Sequence, residues 1–342
     1  MVFPNYLKTG LFPIILSIGS MAALSFTGCT SVANPPAVSE QFDQSSEQSG
    51  KSDVALQVVT TFLPMTYFTK AVAGDRATVT QLLPLNVDPH DYQAKPNDIQ
   101  RLADADVLVE NGLGLEDFLD SLIDNAANPD LAIVDASEGI PVILRDDADH
   151  EADESSHALG ESDHDHGDDD PHLWLDPKKA IEQVENIRDG LIAADPEGEA
   201  IYAANAADYT ADLKALDLEI SEKLAPYAGK AFVTYHDFAE YFARSYGLEV
   251  EHLVNIPEGN PAPADVQRVI DTAKASDLKV LLTESAQPGN AFGAIAADLG
   301  INVSLFDPME STGELNPEPA DYLTRMSQNS DSLAIAFGGA RP

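Results

Sequence analysis

Apolar residues follow two rhythms along this chain, and the way the rhythms alternate sets the expected fold. Residues 54–62, a run of Val, Leu, Thr and Phe broken only by Ala55 and Gln57, read as a strand. A helical pattern follows over 64–73 and is closed by Gly74. Further strands are expected at 79–83, 107–110 and 131–134, with helices at 96–105 and 115–126. The second half repeats the logic, with strands at 231–235, 250–254, 280–283 and 303–306. Helices at 238–246, 263–275 and 290–299 lie between them. Two more helices separate the halves. The first, 177–194, stops before Asp195-Pro196, and the second runs over 197–224. In the second, Tyr209, Leu213, Leu216 and Ile220 recur at helical spacing. At 1.5 Å per residue it would reach roughly 42 Å, long enough to pack along both halves. The expected fold is α/β with two lobes, each a mainly parallel four-stranded sheet with flanking helices, joined by a long connecting helix.

The ends of the chain follow a different pattern. Lys8 is the only charge before Cys29, and an apolar run covers 11–26. Pro13 and Gly19 interrupt that run, which is short for a membrane span and suits a secretory signal over 1–28. Cys29 directly after Gly28 is similar to a bacterial lipobox, although Phe26 stands where leucine is usual. Lipid on Cys29 would anchor the chain outside the cytoplasm, in the periplasm. Residues 29–52 are rich in Ser, Gln and Pro and read as a flexible tether. The expected organisation is therefore a first lobe over 53–176, connecting helices over 177–226 and a second lobe over 227–342.

Charge narrows the partners. A formal net charge of −39 argues against nucleic acid and against anionic membrane surfaces. It suits cationic ligands, and equally an adaptation for solubility or high salt. A single cysteine excludes an intramolecular disulfide and a Cys-based zinc site.

Four segments place a metal-competent side chain just past an expected strand or between Asp-Pro steps. They carry His90 in Asp88-Pro89-His90, His172 in Asp170-Pro171-His172, His236 in Thr234-Tyr235-His236, and Asp307 in Phe306-Asp307-Pro308. Ligands of open α/β sheets sit beyond the carboxyl ends of strands, so two facing sheets would aim all four groups into one cleft. Three imidazoles and a carboxylate suit tetrahedral zinc. Nickel, cobalt and copper remain open on affinity, whereas manganese calls for more oxygen ligands. Asp91, Asp237 and Glu284 are candidates to orient the rings. Asp307 is the weakest of the four, because a carboxylate before proline often starts a turn. His252 falls within a strand pattern and is assigned to packing or surface.

These segments resemble the metal-specific substrate-binding lipoproteins of bacterial ABC importers, the zinc and manganese uptake family. The resemblance rests on Asp88-Pro89-His90-Asp91-Tyr92, Asn111-Gly112-Leu113-Gly114-Leu115-Glu116 and the stretch from Pro171 to Pro177. It also rests on His236-Asp237-Phe238 with Tyr241-Phe242, and on Phe306-Asp307-Pro308-Met309. It implies two α/β lobes with a metal between them, an ABC permease as partner, and no enzymatic activity. Histidine rather than glutamate at position 236 implies the zinc branch, with Mn2+ the less favoured ion. The resemblance puts Asp307 in the place of the C-terminal carboxylate. Thr283-Glu284-Ser285-Ala286-Gln287 departs from the Glu-Pro-Gln of many relatives. The alternatives are a manganese receptor of the same family, a zinc hydrolase, and a surface adhesin using the same fold. A hydrolase needs an open coordination position, and no HExxH arrangement occurs. A monomer is expected.

Residues 146–170 hold twelve Asp or Glu and the four histidines His150, His157, His164 and His166, with no apolar periodicity. Zinc members of the resembled family often carry a His-rich insertion here. Such a loop would gather zinc through weak sites beside His172.

Overall fold

Strand β1 (Leu56–Thr60) is the axis of the first sheet. Its neighbours are β2 (Ala77–Gln81) on one side and β3 (Val107–Glu110) on the other, with β4 (Ala132–Asp135) beyond β3. All three pairings are parallel, and Val59 aligns with Thr80 and with Leu108. Helices α1 (Leu63–Ala73), α2 (Pro96–Ala103) and α3 (Leu119–Ala126) make the crossovers. The computed structural model describes residues 55–144, 169–254, 262–284, 291–311 and 316–339. The signal, Cys29, the tether and the histidines His150, His157, His164 and His166 lie outside the described residues.

The sequence expectation for the helix at 115–126 is too long. The chain first makes a tight turn in which Gly112, Leu113 and Gly114 all have positive φ, and the helix starts only at Leu119. A Cβ on Gly112 would run into the Asp135 carboxylate and the Ser137 hydroxyl, so this turn needs glycine.

The connecting helices match expectation closely. Helix α4 (Pro177–Ala194) starts with proline in its first turn, and the Asp176 side chain accepts from Lys178 N at 3.0 Å as its cap. Helix α5 (Glu199–Leu224) follows a short 3-10 turn, Pro196–Gly198. Its stripe of Tyr202, Ala206, Tyr209, Leu213, Leu216, Ile220 and Leu224 is buried. Each large side chain buried in this way contributes roughly 1.5–3 kcal/mol. Asn205 Nδ2 donates to Val72 O in α1 at 3.0 Å, so the helix is also tied to the first sheet's layer.

The second half has strands β5 (Ala231–Thr234), β6 (Glu249–His252), β7 (Val280–Thr283) and β8 (Asn302–Leu305). Helices α6 (Glu240–Ser245), α7 (Pro263–Ala275) and α8 (Ala291–Leu299) alternate with them. Among the described residues these strands form two parallel pairs, β5–β6 and β7–β8, rather than one four-stranded ladder. β5 lies beside β7, and with four residues per strand the seam is closed by the shared apolar core. A further helix, α9 (Pro319–Ala336), is absent from the sequence expectation. Buried Asn329 and Ser330 interrupt its apolar stripe of Tyr322, Met326, Leu333 and Ala336, which hides the helical period. α9 packs on both α1 and α5, and Tyr209 OH donates to Pro319 O at 3.0 Å.

Candidate metal centre

Four of the chain's five Asp-Pro steps fold in the same local way. Asp88, Asp170, Asp176 and Asp307 each accept a hydrogen bond from the backbone N–H two residues on, at 2.9, 3.0, 3.0 and 2.8 Å. Proline fixes φ at the middle position, and the aspartate closes the turn. Two of these turns present a histidine. His90 sits in the 3-10 turn Pro89–Asp91 after β2, and His172 opens the turn Leu173–Leu175 before α4.

The His172 segment is held from the first sheet. Asn111 Nδ2 donates to Pro171 O at 3.0 Å, and Gln183 Nε2 donates to Asn111 Oδ1 at 3.0 Å. Glu116 in turn accepts from Asn111 N at 2.8 Å and Thr61 Oγ1 at 2.7 Å. The Asn-Gly-Leu-Gly-Leu-Glu stretch is thus the support of His172. Burial drives the Glu116 carboxyl up to about 8, although the donors from Asn111 and Thr61 pull it down. From the second half, Tyr241 OH donates to Asp170 O at 2.9 Å.

His236 follows β5. Glu284, at the end of β7, accepts from His236 N at 3.0 Å and lies 2.6 Å from its Nδ1. Asp170 Oδ1 lies 2.7 Å from His172 Nδ1 in the same way. A carboxylate on Nδ1 keeps that nitrogen protonated and turns the Nε2 lone pair outward. Of the three residues expected to orient the rings, Glu284 is in that position. Asp237 is half-buried, with Glu284 rather than Asp237 on the His236 ring, and the side chain of Asp91 lies outside the described set. Asp170, read from the sequence as part of the acidic loop, is 1% exposed and belongs to the His172 turn.

The three Nε2 atoms converge on one carboxylate oxygen. Glu310 Oε1 lies 3.3 Å from His90 Nε2, 3.2 Å from His172 Nε2 and 3.5 Å from His236 Nε2. All four ligand atoms fall within 4.8 Å of one another. Tetrahedral zinc with bonds of about 2.0–2.1 Å needs ligand–ligand edges of about 3.3–3.4 Å, close to the three edges that run from Glu310 Oε1. The Nε2 atoms of His172 and His236 are buried and make no hydrogen bond of proper geometry within the described residues. Buried nitrogens aimed at one point without a donor–acceptor partner fit a metal ion.

The carboxylate expected here was Asp307, and the structure corrects that. Asp307 lies outside the cluster, with its side chain paired to Arg325 and capping Met309 N, and Glu310 takes its place. The reason is the shared turn: in each of these four Asp-Pro steps the aspartate is spent on the backbone. Local regularity explains why Asp307 is not in the cluster, but it does not single out Glu310, which lies one residue beyond the held Met309.

Electrostatics bind the cluster together. Burial opposes ionisation of Glu310, yet the His236, His172 and His90 rings hold it well below the usual carboxylate range. Burial pushes His172 down, but Asp170 and then Glu310 outweigh it and lift the ring to about 8. Burial likewise opposes His236, and Glu310 and Glu284 raise it well above its ordinary value. Burial, then the charge of Glu310, raises Asp88 to about 6.

Known proteins share this architecture. The family described as ZnuA, "Zinc-uptake complex component A periplasmic", matches residues 58–336. The manganese-binding lipoprotein MntA of Halalkalibacterium halodurans is 30% identical over 294 residues, covering 84% of this chain and 91% of MntA. The high-affinity zinc uptake system protein ZnuA of Bacillus subtilis is 31% identical over 280 residues, covering 81% and 86%. The Zn(II)-bound ZnuA-like domain of Streptococcus pneumoniae AdcA superposes with a TM-score of 0.66 at 27% identity, covering 83% of this chain and 99% of that one.

Proposed function

The chain belongs to the family of the periplasmic zinc-uptake component ZnuA, and on that premise we propose that it is an extracytoplasmic receptor that binds zinc tightly and delivers it to an ABC permease. The observation that carries the proposal is the convergence of His90, His172 and His236 Nε2 on Glu310 Oε1 at 3.2–3.5 Å, with all four atoms within 4.8 Å of one another. Four protein ligands complete a tetrahedron and leave no position for an attacking water, which favours a receptor over a hydrolase. The likeness to MntA raises manganese as the second reading. Three nitrogens against one carboxylate weigh toward zinc. Metal analysis of the purified mature chain after equal exposure to zinc and manganese is expected to show zinc retained and manganese absent. Equal retention of the two would overturn the zinc assignment.

No helix among the described residues is long and apolar enough to cross a membrane. Lipid on Cys29 would supply the anchor, with 29–52 as the tether, 53–176 and 227–342 as the lobes and 177–226 between them. The chain is read as a monomer. The loop histidines His150, His157, His164 and His166 would add weak, exchanging sites. Removing 146–168, which spares Asp170, is expected to lower the number of weak zinc equivalents in a titration and leave the tight one. Loss of the tight equivalent would refute that role.

A further inference from the structure

Glu310 reaches the histidines by a turn unlike those of His90 and His172. In Asp88-Pro89-His90 and Asp170-Pro171-His172 the ligand is the residue whose N–H the aspartate holds. In Asp307-Pro308-Met309 the held residue is Met309, and the ligand is one residue further on. Met309 has φ +63° and is fully buried, a left-handed conformation that a non-glycine residue adopts only when its surroundings impose it. That left-handed step redirects the chain so that the next side chain enters the cluster.

The surroundings are visible. Asp307 Oδ1 accepts from Met309 N at 2.8 Å, and Arg325 on α9 pairs with Oδ2. Asn329 on α9 holds the backbone of Asp307 at both of its peptide groups, accepting from Asp307 N at 2.8 Å and donating to Asp307 O at 2.8 Å. Pro308 O accepts from Trp174 Nε1 at 2.7 Å, and Trp174 O accepts from Tyr322 OH of α9 at 2.7 Å. Trp174 is two residues from His172, so the same contacts tie the Glu310 turn to the His172 turn.

We infer that Asp307 is a positioning residue for the fourth metal ligand: anchored by Arg325 and Asn329, it holds the left-handed turn at Met309 that delivers Glu310 to the three histidines, with Trp174 pinning the turn from the other side. The inference rests on the zinc reading above. Groups that orient metal ligands typically change affinity by about 10–100-fold when removed.

A double-mutant cycle on the full mature chain tests this, with zinc affinity and the visible absorption of the Co2+-loaded protein as readouts. D307A and W174F are each expected to weaken zinc binding about 10–100-fold in the otherwise unchanged chain and to shift the Co2+ bands toward those of E310A. In the E310A background D307A is expected to cost nothing further, because the ligand it positions is gone, and W174F to keep only the part of its loss that runs through the neighbouring His172 ring. Should D307A not fold, D307N carries the same cycle. Its amide oxygen can accept from Met309 N, but it cannot ion-pair with Arg325, so a smaller loss of the same sign is expected. Affinity within twofold of the unchanged chain for both D307A and W174F would overturn the inference, as would equal D307A losses with and without Glu310. Failure of the unchanged chain to bind zinc would instead sink the receptor reading.

Discussion

Replacing His172 by alanine is expected to weaken zinc binding at pH 8 by about 100- to 1,000-fold. Zinc sites that fold a four-ligand peptide return about 10–16 kcal/mol, so one ligand in four corresponds to roughly 2.5–4 kcal/mol. His172 should lie at the full end of this range for two reasons. Its side chain is completely buried and its ring is oriented by Asp170 at 2.7 Å, so little is lost in fixing it when metal arrives. Burial also limits the access of a substitute water ligand. His90 is the contrast, because its side chain is 12% exposed and water can reach the position it leaves. H90A should therefore cost less than H172A. Competition with a chelator of known affinity measures both, and circular dichroism of the metal-free variants checks the fold. An H172A chain that binds zinc within about tenfold of the unchanged protein would remove His172 from the ligand set.

The histidines were legible in the sequence because their signals are local. An Asp-Pro step stiffens the backbone before His90 and before His172, and His236 stands at the end of a strongly apolar strand. The same locality explains why Asp307 was expected where Glu310 joins the histidines. Asp307 sits where a strand-end carboxylate is expected, but its fate depends on Arg325 and Asn329, a helix away. No local pattern announces that helix, since Asn329 and Ser330 face the interior where its apolar stripe should continue. Those residues are buried because they serve other segments, with Asn329 bonded to the Asp307 peptide and Ser330 Oγ to Lys223 Nζ at 3.0 Å. Ring orientation divides in the same way. Glu284 was one of three candidates, whereas Asp170 was hidden among the acidic residues that precede it. The core was the easier part: strands β3 and β7 and helices α4 and α7 begin and end where their apolar runs and prolines indicate.

Zinc and protons compete for the same nitrogens, and the metal-free and zinc-loaded proteins should therefore respond to pH in opposite directions. Asp170 and Glu310 lift His172 to about 8 against the effect of burial, and Glu310 and Glu284 hold His236 well above its ordinary value. At neutral pH both rings carry a proton that zinc must displace. Each displaced proton makes affinity fall about tenfold per pH unit, so two give about 100-fold per unit between pH 6.5 and about 8. Stability of the metal-free chain runs the other way. A histidine raised from 6.5 to about 8 contributes stability that is complete below pH 6.5 and lost as pH rises through 8. For His172 that is about 2 kcal/mol. Glu116, raised by burial to about 8, also withdraws stability over this window, whereas Asp88, raised to about 6, does so at lower pH. These carboxylates are outside the set of four ligands, so the difference between the metal-free and zinc-loaded melts isolates the histidines. Raising the pH from 6.5 to 8 should lower the Tm of the metal-free chain and widen its gap to the zinc-loaded chain. Calorimetry in buffers of different ionisation enthalpy should count about two protons released per zinc bound at pH 7. A zinc affinity that changes less than threefold between pH 6.5 and 7.5 would mean that the two rings are already neutral, and that the Glu310 carboxylate does not hold them charged.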